Sequence, residues 1–190
     1  MISTLHNLFI YNELNKFSYC PIRDNKPLPT FYRLSSYFFT IWGLFVIILH
    51  KTFRKYDRGF PWLAYGFLNF FHGFLIYTTD VVYFGKKLYY LKILDRVVSF
   101  INLVLTWLVI SFRAYFGFST FPMFYINLHF ILGIFTIYCK YRSTIALRKG
   151  GNNCDYYMFW HGLWHTYPLM GCIYTFIMFN NLEWKLFYIN

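Results

Sequence analysis

Two histidines four residues apart carry the sharpest chemical signal in this sequence. In Trp160-His161-Gly162-Leu163-Trp164-His165 the spacing puts both imidazoles on one helix face, one turn apart. Ring nitrogens placed this way can converge on one metal ion, or each can bond a nearby backbone or hydroxyl group. His72, Asp95, Arg96 and His129 also stand inside apolar runs. An ionisable group in such surroundings is costly, and its default reading is functional. His129 has no partner at i±3 or i±4 and reads as structural. Arg96 reads as a charge partner of Asp95 or as a side chain that snorkels to an interface. Asp80 follows an apolar run and is expected in solvent.

The elements that position these residues are the apolar runs themselves, at about 31–50, 59–79, 92–112, 122–141 and 156–180. Each is near the ~20 residues a helix needs to cross a bilayer core. Charged residues are 13% of the 190 and hydrophobic residues 58%, against roughly 25% charged in a soluble domain. Such a chain cannot cover its own surface with polar groups, so lipid is expected to cover it. The runs are apolar on every face, which excludes the alternation of a membrane β-barrel and leaves helices. The expected fold is all-α: a polytopic transmembrane bundle of about five spans over 31–180. A polar segment at 1–30 and a short tail at 181–190 are expected outside the membrane. Pro61 suits a first helical turn. Pro168 cannot donate to the carbonyl of Trp164 and predicts a kink just after the histidine pair.

The formal charge of +11 is spread over short clusters between the runs, as in loops flanking membrane spans. Nucleic-acid binding needs a continuous basic patch and is not expected. Eleven Lys and Arg, from Lys16 to Lys149, fall on the side of the N-terminus, against six, from Lys51 to Lys185, on the other, with Arg96 inside a span. That asymmetry favours a cytosolic N-terminus. None of the four cysteines forms a CxxC pair, which excludes a zinc knuckle. A Cys20–Cys154 disulfide requires that their side face an oxidising compartment.

The five-span order brings several of these groups to one depth. His72 lies about 10 Å in from the end of its run, Asp95 about 5 Å, and His161 and His165 about 8 and 14 Å, at 1.5 Å rise per residue. Three histidines with an open fourth position are a common catalytic zinc site. His72, His161 and His165 are therefore the expected metal ligands, with Asp95 beside them.

The set Phe70-Phe71-His72, Leu94-Asp95 and His161-Gly-Leu-Trp-His165 resembles the CREST superfamily of membrane hydrolases, which includes alkaline ceramidases, PAQR receptors and the transmembrane-protein-eight group with myomaker. The separation of His72 from Asp95, and Asp155-Tyr156-Tyr157 ahead of the pair, are most similar to the last group. The resemblance covers about 36–95 and 155–179. It departs in two respects: the family has seven spans, and it carries a serine four residues before the first histidine, where this chain has Leu68.

The resemblance implies a zinc-dependent hydrolase acting on an amide or ester bond of a membrane lipid. His72, His161 and His165 would hold Zn²⁺, and Asp95 would serve as general base and then acid. The alternative is a non-catalytic membrane protein, myomaker-like or receptor-like, with the metal as a structural staple.

Overall fold

The computed structural model describes residues 27–84, 89–118, 123–149 and 154–179. The segments 1–26 and 180–190, which include nearly all of the expected N-terminal and C-terminal extramembrane pieces, lie outside the described residues. All regular structure among the described residues is helical.

α1 (Thr30–Ser35) turns at Ser36 and Tyr37 and continues as α2 (Phe38–Tyr56). α3 (Trp62–Tyr77) runs into a π-helical turn, Thr78–Val82. α4 (Tyr89–Leu103) passes through a π-helical stretch, Val104–Val109, into α5 (Ile110–Tyr115). α6 (Met123–Lys149), α7 (Cys154–Trp164) and α8 (Tyr167–Phe179) follow. The segments Thr30–Tyr56 and Tyr90–Tyr115 are long and apolar enough to cross a membrane, with mean hydropathies of 1.5 and 1.9.

The first of these outruns its apolar stretch. Lys51, Arg54 and Lys55 continue the helix, as good helix formers whose charge is favourable at a C-terminus. The expected kink is a full break. His165 N–H bonds Gly162 O at 3.1 Å and Thr166 N–H bonds Leu163 O at 3.0 Å, a tightened last turn. Pro168 sits in the first turn of α8, where a missing N–H costs nothing.

Cross-contacts fix the topology. Gly43 of α2 meets Phe70 of α3, and Thr40 meets Gly73, so the two run antiparallel. A Cβ on Gly43 would fall inside the backbone of Phe70, and one on Gly73 against Thr40. Small residues here let two helices approach closely. His72 pairs with Ser99 and Asn102, and Tyr65 with Thr106, so α4 is antiparallel to α3. α6 is antiparallel to α4, through His129 to Thr106 and Tyr115 to Asn127. Gly162 lies against Phe31 and Gly171 near Trp42, so α7 and α8 run parallel to α1 and α2.

One end of the bundle is a dense aromatic core of Trp42, Phe53, Trp62 and Tyr65, joined by the aliphatic Ile110, with Phe53 and Trp62 stacked at 4.5 Å. Below it, buried Asp57 accepts two 2.7 Å bonds from Arg113 and one from Gly59 N–H. The other end holds Tyr32, Ala146, Tyr157 and Met158. Cys154, at this end, is disulfide-bonded. Cys139 and Cys172 are free thiols. Cys20, the partner considered from sequence, lies outside the described residues.

Candidate metal centre

The end opposite Asp57 gathers the groups that can do chemistry. The start of α1, the end of α3, the start of α4, the last turns of α6 and α7 all meet there.

α7 presents His161 and His165 as the spacing predicts, with ring centroids 4.7 Å apart and nearly perpendicular planes. The third member is Asp80, not His72. The expectation that Asp80 lies in solvent is overturned: it is 7% exposed and sits in the π-helical turn after α3. A π turn changes the phase of a helix and is frequent at functional sites. Asp80 Oδ2 lies 3.0 Å from His161 Nε2 and 3.7 Å from His165 Nε2. One ligand atom from each of the three residues falls within 4.8 Å of the others. Ligand atoms around a tetrahedral ion at ~2.0–2.1 Å lie ~3.4 Å apart. Small side-chain adjustments therefore suffice, and the buried Asp80-His161-His165 group can bind a metal ion.

The supporting contacts suit that role. Ser35 Oγ donates to Tyr32 O at 2.9 Å, so its contact with His165 Nδ1 at 3.3 Å leaves the imidazole as donor. That tautomer directs the Nε2 lone pair of His165 toward Asp80, as a metal ligand requires. The rings of Tyr157 and Tyr32 stand 5.1 and 6.0 Å from that of His161. They exclude water from its flank.

His72 and Asp95 form an adjoining group. His72 Nε2 is 3.1 Å from Ser99 Oγ and 3.4 Å from Asp95 Oδ1, and its Nδ1 is 2.7 Å from Asn102 Nδ2. An Nε2–H tautomer satisfies all of these: Nδ1 accepts from Asn102, and Nε2–H faces Ser99 and Asp95. With both ring nitrogens engaged on α4, His72 stands outside the converging set. Phe39 separates the two groups, its ring centroid 4.6 Å from that of His72 and 6.2 Å from that of His165.

Asp95 nevertheless belongs to the same space. It lines one cavity with Ser99, Lys140, His161 and His165. The volume open to water centres there is about 30 Å³, enough for one or two waters. Asp95 Oδ1 is buried, and among the described residues it makes no hydrogen bond beyond the 3.4 Å approach of His72 Nε2.

Sequence reasoning missed Asp80, Ser35, Ser99 and Asn102. Two signals carry them. Val81-Val82-Tyr83-Phe84 continues the apolar character beyond Asp80, so Asp80 does not mark a water boundary. Asp95, Ser99, Asn102 and Thr106 recur at four, three and four residues, a polar stripe on one face of an otherwise apolar helix. His129, expected to be structural, bonds Thr106 O at 2.8 Å and Tyr167 OH at 2.6 Å.

No protein-family model, curated protein or solved structure matches this chain.

Proposed function

We propose that this chain is a multi-pass integral membrane protein and a zinc-dependent hydrolase of an amide or ester bond in a membrane lipid, of the CREST type. The observation that carries the catalytic part is the opening beside the metal ligands. A structural zinc site is closed by four protein ligands, whereas a catalytic one keeps a position open. Here two histidines and one carboxylate converge, and the adjoining cavity has a carboxylate, Asp95, on its wall.

The multi-pass part rests on an inverted distribution of polarity. His72, Asn69, Asp80, Thr106, His129 and Thr175 are buried, while Ile48, Phe71, Phe100, Ile131 and Ile173 are largely exposed. Exposed apolar surface on this scale in a soluble monomer would drive association. In lipid it is the ordinary outer face.

His161, His165 and Asp80 would hold the ion. Bound there, Zn²⁺ supplies a water of lowered pKa and polarises a carbonyl. Asp95, on the cavity wall, would be the proton acceptor and then the proton donor of such a hydrolysis. His72, fixed by Asn102 and Ser99, holds Asp95 at its side of the cavity. The resemblance implied His72 as third ligand; Asp80 is the better candidate because its oxygen, not the His72 ring, meets the pair.

The bonded Cys154 bears on orientation. A stable disulfide needs an oxidising compartment, so on this reading Cys154, at the start of α7, would face the lumenal or outer side together with the metal-centre end. This orientation runs against the charge-count expectation of a cytosolic N-terminus. A disulfide is a covalent requirement, whereas the charge excess is a bias. Thiol labelling of Cys154→Ser and wild-type protein in sealed vesicles checks this orientation.

Elemental analysis of protein purified in detergent tests the main proposal. One zinc per chain is expected, with release of fatty acid from a panel of ceramide, phospholipid and GPI-type substrates. Zinc without turnover on any lipid would leave the structural-staple reading. Absence of stoichiometric metal would end both.

A further inference from the structure

Two acceptor oxygens on α4 are buried without the partners that burial demands. Asn102 is 3% exposed; its amide N–H donates to His72 Nδ1 at 2.7 Å, while its Oδ1 has no partner among the described residues. Asp95 Oδ1, seven residues earlier, has only the 3.4 Å approach of His72 Nε2. A buried oxygen left without a partner is costly, and in native proteins ordered water commonly satisfies it. Each of the two residues lines a cavity: Asp95 the one beside the metal centre, and Asn102 a second, deeper in the bundle.

The two cavities adjoin, sharing Ser99, Leu103 and Trp164. Each offers about 30 Å³ to water centres, room for one or two waters. Polar groups recur along them. The outer cavity has Asp95, Ser99 and the two histidines, and the inner one Ser99, Asn102, Thr106, Thr136 and Tyr167. Thr136 Oγ donates to Gly133 O at 2.8 Å and keeps its lone pairs for a further donor. Phe39 and Leu103 make the wall apolar elsewhere. From Ser99 to Thr106 the helix rises ~10 Å, a distance that three or four waters ~2.8 Å apart bridge. At the inner end, Thr106 O and Tyr167 OH are both bonded to His129.

We propose that the two cavities hold one continuous file of buried waters, running from Asp95 along Ser99 and Asn102 to Thr106 and Tyr167, and that this file is the internal water supply of the metal centre. The supply role deepens the hydrolase reading and rests on it; the file itself does not. Each hydrolysis consumes one water. Its oxygen and one proton become the hydroxyl of the released acid as the acyl–oxygen or acyl–nitrogen bond breaks, and its other proton goes to the leaving group. A lipid that presents its carbonyl at Asp95 excludes bulk water from the outer cavity. The inner waters lie on the far side of Ser99, so they advance along the hydroxyls and refill the position beside the ligands. Asn102 serves twice: its oxygen holds the inner waters, and its N–H fixes His72 and, through it, Asp95.

X-ray-induced hydroxyl labelling of the zinc-loaded full chain in neutral detergent, read by mass spectrometry, tests the file without turnover, because radicals formed from a bound water mark the side chain it touches. Phe39 lines the inner cavity and is 8% exposed. It should be labelled, whereas Phe53 and Trp62, buried in the aromatic end, should not. Thr136→Leu adds apolar bulk to the inner cavity, and the hydroxyl it removes bonds within its own helix. This variant should keep its zinc and lower Phe39 labelling to the level of Phe53, and Thr136→Ser should keep the labelling. Unlabelled Phe39 in the wild type overturns the file whatever the variants do. Full zinc with undiminished labelling in Thr136→Leu overturns it as well. Should Thr136→Leu lose its zinc, the wild-type labelling decides. On a lipid substrate, Thr136→Leu should slow turnover with Asp95 and the ligands intact, and unchanged turnover overturns the supply role. Labelled Phe39 with no turnover on any lipid sinks the hydrolase reading and the supply role with it, and leaves the file standing.

Discussion

The two ends of the bundle each bury an aspartate, and they treat it in opposite ways. Asp57 is 1% exposed and saturated: Arg113 grips both oxygens and Gly59 N–H adds a third bond. Around it Phe53, Trp62 and Tyr65 pack edge to face and in stacks. Asp80 is nearly as buried, but its neighbours are two imidazoles, and a cavity opens beside them. A buried carboxylate closed by a guanidinium and backbone is a structural latch. A buried carboxylate facing two histidine nitrogens and a void is arranged for a ligand. Burial alone does not tell the two apart; the partners do.

The comparison breaks most sharply if the ligand set is wrong. Asp80→Ala and His161→Ala should each lose stoichiometric metal and all turnover, whereas His72→Ala should keep the metal. Elemental analysis of the three variants decides this. Metal lost from His72→Ala but kept by Asp80→Ala would restore the three-histidine set.

Asp95→Asn comes next. It should leave metal content unchanged and lower turnover by roughly 10²–10⁴, the range for a lost general base. A variant with wild-type turnover would remove Asp95 from the chemistry.

At the other end, Asp57→Ala should cost about 3 kcal/mol, the low end for breaking a buried pair, because Arg113 keeps some access to water. Its metal affinity should match wild type, since the latch lies across the bundle. Denaturant titration in detergent alongside metal titration checks both halves; a coupled loss of metal would mean the two ends are not independent.

The smallest effect is expected at Ser35. Ser35→Ala removes the acceptor that orients His165 Nδ1 and should weaken metal binding by roughly 10- to 100-fold, as for other groups that orient a ligand. Competition with a chelator of known affinity measures it. An unchanged affinity would mean that α7 packing alone holds the ring.

The amino-acid sequence by itself determined the helical class, the five apolar stretches and the convergence of His161 and His165. Those features depend on local periodicity: a ~20-residue apolar run and an i, i+4 pair each fix their own geometry. It also marked Pro168 as the place where the last stretch breaks, because a missing N–H acts within one turn. What it did not determine was which third group meets the pair. His72 and Asp80 stand eight residues apart on the same rod, and both lie within reach of α7 on depth alone. The π-helical turn at Thr78–Val82 changes the helix phase there, and His72 is drawn to Ser99 and Asn102 on α4 instead. Side-chain direction near a phase change depends on how neighbouring helices seat against one another, so tertiary packing decided between the two residues.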